Sequence, residues 1–242
     1  MEKNFTERQQ EILYSVVKKY VKTAEPIGSA ELSSEFKLSS ATIRSELNLL
    51  EKEGFLNQPH VSSGRIPTEK AYRLYIKNNI NPSSASSAFN PLASLDSDTE
   101  REYLKKVAKL LAESLNLAVC VAFAKNDVYY TGISYLFSQP EFKDDQNYLT
   151  NFSEILDKLD DKIVEIFDDI KEDTDILFGE DNPFSEFCGT VVTKLQEDKD
   201  LLAILGPMRM DYEKAREFLE FAKEDFNKRI KQIGFSEKYL LN

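Results

Sequence analysis

Apolar residues recur at helical spacing from the first residues onward. In TERQQEILYSVVKKYVK, Ile12, Leu13, Val16, Val17 and Tyr20 fall on one stripe, and Thr6 with Gln9 has the spacing of a capping box, so a first helix is predicted there. Gly28 and Ser29 open a short second helix in which Leu32 and Phe36 stand one turn apart. The stretch KLSS interrupts it, and Ser39 or Ser40 caps a third helix that ends near Gly54. Past Gly54 the period changes: FLNQ and RIP read as two short strands around the turn-prone PHVSSG, and a further helix is predicted from Thr68 to about Asn79. Helix, helix, turn, helix, hairpin is the order of a winged helix-turn-helix.

The stretch NPSSASSAFNPLASLDSD, residues 81–98, has no sustained apolar period and is rich in Ser, Pro and Ala, which predicts a linker between domains at 1–80 and 99–242. Beyond it, Tyr103, Val107, Leu110, Leu111 and Leu115 are helically spaced. AVCVAF and VYYTGIS flank an Asn126-Asp127 turn as a predicted hairpin. Helices are expected at 148–171 and 211–232, with strands near DILF, GTVVTKL and LLAIL, so the simplest arrangement is an antiparallel-type sheet with helices packed on it. The predicted fold class is α+β, a winged helix-turn-helix followed by a mixed α/β domain.

Charge alters this picture in one respect. The formal net charge is -11, which taken alone argues against nucleic acid, because Lys and Arg on phosphates supply most non-specific affinity. Residues 1–80, however, contain 12 Lys+Arg against 10 Asp+Glu, leaving 19 against 32 for the remainder, so the acidity belongs to the second half. Forty-one per cent hydrophobic residues exclude wholesale disorder, and the run LNLAVCVAFA is about half of what a membrane span needs. Two cysteines and an opening EKNFTERQQ without a basic and apolar leader lead us to expect a cytoplasmic protein with reduced thiols and no membrane partner.

The candidate chemistry lies on the third helix and the loop after it. If Ile43, Leu47 and Leu50 face the core, the opposite face carries Ala41, Ser45, Asn48 and Lys52, with Thr42 and Arg44 on its flanks and no acidic residue. Small residues let a helix approach a groove floor, serine donates or accepts, asparagine can bond adenine bidentately, and an alanine can meet a thymine methyl. A hairpin after such a helix projects beside it. Its tip offers donors to phosphates or a minor groove through Ser62, Ser63, Gly64 and Arg65, and His60 adds a proton-dependent contact if it lies near phosphate. With the cap residues Ser39 and Ser40, and Thr68 at the end of the hairpin, these form the candidate set for duplex DNA.

Nothing else in the chain suggests catalysis. In LGPMRMDY, Gly206-Pro207 reads as a turn after an apolar strand and Asp211 as the cap of the last helix, rather than Arg209 and Asp211 as a reacting pair. Cys120 and Cys188 have no CxxC spacing, the single histidine excludes most His-based metal sites, and no Gly-rich phosphate loop occurs, so neither a metal nor a cofactor is expected. The acidic run DKLDDKIVEIFDDIKEDTD places Leu159, Ile163, Phe167 and Ile170 on one face, with its charges on the solvated side. Two further function classes stay open at this point: a winged-helix transcription factor that senses a small ligand in its second half, and a winged-helix adaptor that binds protein.

The stretches TERQQEIL, EPIGSAELS and LSSATIRSELNLLEKEGFLNQPHVSSGRIPTEKAYRLYI resemble the amino-terminal half of the heat-inducible transcription repressor family, HrcA. The family's wing reads close to QPHTSAGRIPT, against which Val61 and Ser63 are substitutions. GISYLFSQPEF, FGEDN and ILGPMRMDY are similar to the family's later motifs. The resemblance implies a non-enzymatic repressor of chaperone genes that binds an inverted-repeat operator as a homodimer, with activity modulated by a GroE-type chaperonin. It also implies a GAF-like second domain with an inserted dimerising segment. About fifteen residues separate AVCVAF from QPEF, where family members carry far more, so the expectation is a shortened member with a reduced GAF-like domain in which the dimerising segment is missing or greatly reduced.

Overall fold

Thr6 and Gln9 close a reciprocal cap at the start of α1 (Glu7–Thr23): the Gln9 amide donates to Thr6 Oγ1 at 3.2 Å, and the Thr6 amide donates to Gln9 Oε1 at 3.1 Å. The structure is a computed structural model and describes residues 5–80, 92, 95, 97, 99–124, 127–141, 162, 166, 170, 174–185, 188–195 and 200–233. The chain divides into two compact units, Met1–Asn81 and Pro82–Asn242.

In the first unit α1 is followed by α2 (Ser29–Phe36), α3 (Ser40–Lys52), β1 (Leu56–Asn57), β2 (Ile66–Pro67) and α4 (Glu69–Asn79). Ile12, Leu13, Val16, Leu32, Ile43 and Leu50 have no exposed surface, so the helical stripes read from the sequence meet in one core. Lys37 turns the chain between α2 and α3 in the left-handed conformation, and Gly54 does so after α3. β1 and β2 pair antiparallel, Leu56 opposite Pro67 and Asn57 opposite Ile66, which makes the predicted hairpin a short wing.

The second unit begins with α5 (Glu100–Leu115), capped by Thr99, whose Oγ1 accepts from the Glu102 amide. A five-stranded antiparallel sheet follows, built from β3 (Ala118–Ala124), β4 (Asp127–Thr131), β5 (Thr174–Phe178), β6 (Cys188–Leu195) and β7 (Asp200–Pro207) in the order β4-β3-β7-β6-β5. α5 and the last helix, α7 (Tyr212–Ile233), pack against the sheet. The alternate residues Ala118, Cys120, Leu201, Ala203 and Leu205 enter a separate core with Ile166, Ile170, Phe184 and Leu136 of α6 (Ile133–Phe137). Both faces of the central strands are thus covered, which is why β7 is buried from end to end instead of alternating. The result is the expected GAF-like mixture of sheet and helix.

One expectation changes in detail, and two others fall largely outside the described residues. The strand read through VYYTGIS stops at Thr131, because Gly132 has φ +76° and a Cβ there would lie 2.4 Å from the Leu117 carbonyl oxygen, and α6 starts in its place. Most of the helix expected at 148–171 lies outside the described residues; of the part that is described, Ile166 and Ile170 are buried one turn apart. The expected linker 81–98 also lies mostly outside them. Within it, Leu92 is fully buried and its carbonyl accepts from Arg229 Nη2 at 3.2 Å, so the packed structure of the second unit reaches back into that stretch.

Burial pushes the Cys188 thiol up to about 12, far above the range in which a thiolate forms at neutral pH. Iodoacetamide should therefore leave Cys188 unmodified in the folded protein and label it in urea, with peptide mass spectrometry as the readout. Rapid labelling without denaturant would contradict the packing of β6.

Candidate nucleic-acid interface

Ile43, Leu47 and Leu50 hold α3 against α1 and α2, and this fixes what the helix shows to solvent. Ala41, Arg44, Ser45, Asn48 and Lys52 are exposed, and Thr42 is half-buried. The two glutamates within the helix are both engaged inside the unit. Glu46 accepts from Gln9 Nε2 at 3.0 Å with Arg8 4.0 Å away, and Glu51 pairs with Arg65 at 3.0 Å. The outer face therefore carries no unengaged carboxylate. Arg44 has no acidic partner among the described residues; its Nε and Nη2 donate to Ser29 Oγ (3.3 Å) and Ser40 Oγ (3.2 Å), and those two hydroxyls lie 3.0 Å apart.

The wing is set beside this helix by a backbone contact that the sequence did not announce. The Ile27 and Arg65 amides each donate to the other's carbonyl at 2.9 Å, an antiparallel bridge that adds a third short segment to β1 and β2. Gly64 makes this approach possible, since a Cβ there would sit 2.4 Å from both the carbonyl carbon and oxygen of Ile27. At the tip the turn fastens itself: the His60 amide donates to Ser63 Oγ at 3.0 Å, Ser63 Oγ donates to the His60 carbonyl at 2.7 Å, and Gln58 Nε2 donates to the Val61 and Ser63 carbonyls at 3.0 Å each. His60 and Ser62 are exposed and Val61 is 98% exposed. Between the wing, the start of α2 and α3 lies a cleft of about 420 Å³, lined in part by Ser29, Arg44, Asn48 and Gln58.

Several candidates take local roles in place of an outward one. Ser39 caps α3, its Oγ accepting from the Thr42 amide at 3.1 Å. Thr68 Oγ1 donates to the Gly54 and Phe55 carbonyls at 2.7 and 3.1 Å, tying the end of the wing to the end of α3. Ser63 is the fastener of the turn, and Gly64 is required by close backbone packing. Arg65 departs furthest from its expected role as a phosphate donor. Its side chain is 12% exposed, with Nε on Glu51 Oε2 at 3.0 Å and Nη2 on Asn48 Oδ1 at 2.9 Å. Of the remaining candidates, Ala41, Arg44, Ser45, Asn48, Lys52, His60 and Ser62 are exposed and Ser40 and Thr42 half-buried, and Arg44, Asn48 and Ser62 line the same cleft. Ser29, Ile27, Glu51 and Gln58 were missed. Only Gln58 had a local signal, an amide three residues before the turn carbonyl it holds, whereas the other three act across 11 residues or more.

In the second unit the motif residues are engaged within the fold. Arg209 pairs with Glu141 and also reaches Gln139 Oε1 at 2.8 Å, so LGPMRMDY is bound to SQPEF. Asp211 caps α7 by accepting from the Lys214 amide at 3.1 Å. Asn182 of FGEDN is buried and satisfied, donating to the Cys188 carbonyl and accepting from the Phe184 amide and Thr190 Oγ1. These contacts join segments of the fold. Among the described residues no group of three His, Cys, Asp or Glu is placed to hold a metal ion, and no helix is long and apolar enough to cross a membrane.

Comparison with known proteins gives two family matches. Residues 4–81 match a model described as the winged helix-turn-helix transcription repressor, HrcA DNA-binding, and residues 58–215 match one described as the HrcA protein C terminal domain. Among curated relatives, a heat-inducible transcription repressor HrcA of Nostoc punctiforme is 51% identical over 85 residues, 34% of this chain and 23% of that protein. Its counterpart in Thermoanaerobacter sp. is 44% identical over 115 residues, 44% of this chain and 32% of that protein. The matched stretches thus span between about a quarter and a third of the relatives' length. A crystal structure of a hypothetical protein shares the fold at a TM-score of 0.79 and 16% identity, over 93% of this chain and 98% of that one.

Proposed function

The chain belongs to the HrcA family, and from that premise we propose that its first unit places α3 in the major groove of duplex DNA with the wing alongside, and that the protein represses transcription of chaperone genes. The observation that carries this reading is the outer face of α3. Arg44 stands there with no acidic partner among the described residues, beside Ser45, Asn48 and Lys52, while both internal glutamates of the helix are engaged within the unit. A solvated helix face of no function would have no reason to engage its carboxylates and leave its cations open.

The finer parts of the proposal concern the assembly. An inverted-repeat operator calls for two copies of the unit related by a two-fold axis, so the protein acts as a cytoplasmic homodimer. The acidic second half has no field to attract DNA, and its share is pairing and regulation, with a GroE-type chaperonin as the regulating partner. Linking two weak half-site readers raises affinity by effective concentration, on the order of a hundredfold or more where the spacing fits.

Binding of the full chain to an inverted-repeat duplex and to a scrambled one, at two salt concentrations, tests the reading. The repeat should bind more tightly, and affinity should fall steeply with salt. Arg44→Ala should weaken both duplexes alike and reduce the salt slope by about one, the signature of a lost phosphate contact. Equal binding to both duplexes, or displacement of DNA by nothing but a protein partner, would favour the adaptor reading, and a saturable small ligand that changes DNA affinity would favour a ligand sensor.

A further inference from the structure

The contact between wing and recognition helix constrains which base Asn48 can read; the inference rests on the DNA-binding reading above. A guanidinium has donors only, so the Asn48 atom 2.9 Å from Arg65 Nη2 must be the amide oxygen. The side-chain NH₂ is then directed away from Arg65, on an exposed position of the helix. Arg65 is itself held, through Nε on Glu51 at 3.0 Å and by the backbone bridge to Ile27, with only 12% of its side chain exposed. The three side chains form a relay from helix to wing and back: Glu51 fixes Arg65, and Arg65 fixes Asn48.

We propose that Arg65 and Glu51 are positioning residues that set Asn48 to read its base by donation, selecting guanine over adenine. A free asparagine bonds adenine by accepting from N6 and donating to N7. Here the oxygen already accepts from a cation, and an adenine amino group brought to it would have to share that oxygen with a fixed positive charge. Guanine presents N7 and O6 side by side, both acceptors, and both suit the outward NH₂. This departs from the sequence-level expectation, in which Asn48 pairs with adenine and Arg65 with phosphate.

The experiment is a selection from randomised duplexes with the full chain, followed by competition between duplexes that differ at one base pair. Asn48→Ala, at an exposed position, identifies the base pair by relaxing preference there alone. At that pair the parent protein should favour guanine over adenine by about tenfold, the order expected for a good base contact. Arg65→Met, which keeps length and removes the donors, should lower the guanine preference and raise adenine, because the freed amide can then rotate to the two-point adenine contact. Glu51→Gln, which keeps a hydrogen-bond acceptor and removes the charge, should shift preference in the same direction by less. An Arg65→Met protein that binds DNA with unchanged base preference would overturn the inference, as would a parent protein that favours adenine at the pair relaxed by Asn48→Ala. A parent protein with no preference among any duplexes would overturn the DNA-binding reading itself.

Discussion

Gly64→Ala is expected to lower the stability of the first unit by about 3 kcal/mol, at the upper end for overpacking, and to remove most of the affinity for operator DNA. The added Cβ would sit 2.4 Å from the carbonyl carbon and oxygen of Ile27 and 2.7 Å from the carbonyl carbon of Pro26. All three are backbone atoms, so no side chain can swing away to make room. Relief requires the wing to move off Ile27, which breaks both hydrogen bonds of the bridge at Arg65 and, with them, the support of the contact to Asn48. Gly28→Ala is the matched control: it lies next to the same bridge, yet its Cβ would meet nothing within 4 Å, and as the residue before α2 it should cost about 1 kcal/mol at most. Urea midpoints by far-ultraviolet circular dichroism and operator affinity, measured on both variants, decide the matter. A Gly64→Ala protein with parental midpoint and affinity would mean that the wing does not dock on Ile27.

A second large effect is expected at the centre of the other unit. Phe226 of α7 is 1% exposed and stacks on Tyr103 of α5 with ring centroids 6.1 Å apart and planes 6° from parallel. Phe226→Ala should cost about 3 to 5 kcal/mol, a sizeable part of what a domain of this size has to lose. Beyond the lost burial, the cavity loosens the Tyr103 ring, whose hydroxyl donates to Asp225; Asp225 in turn accepts from Arg229 Nε at 2.8 Å. Burial first, and then the neighbouring Asp225 carboxylate, hold the Tyr103 hydroxyl well above its usual pKa, so it remains a neutral donor throughout the physiological range. Lys228→Ala, two residues along the same helix and 68% exposed, should leave the denaturation midpoint nearly unchanged. Equal midpoints for the two variants would show that α7 does not seal this core.

Periodicity by itself determined the elements of the first unit. The stripes Ile12, Leu13, Val16 and Val17 of α1 and Ile43, Leu47 and Leu50 of α3 are buried as their spacing requires, and the caps Thr6, Ser39 and Asp211 act within three residues of themselves. Because helical spacing and capping are local, burying one face of α3 also determined which residues it exposes, and the resemblance of the wing motif pointed to the same surface. What only the tertiary structure decided is the state of those residues. Arg65 is as basic as Arg44 in the sequence, but one is folded onto Glu51 and Asn48 from 14 and 17 positions away, while the other, among the described residues, donates to the hydroxyls of Ser29 and Ser40. Gly64 reads as a turn glycine, yet its need comes from Ile27, far from it in the chain. Arg209 and Asp211 stand two positions apart in the motif but part on folding, one to Glu141 and the other to the first turn of α7. A chain records the spacing of its own neighbours; which distant donor meets which acceptor is set when the helices and strands pack, and here that step separates the side chains that hold the wing from those left open to a partner.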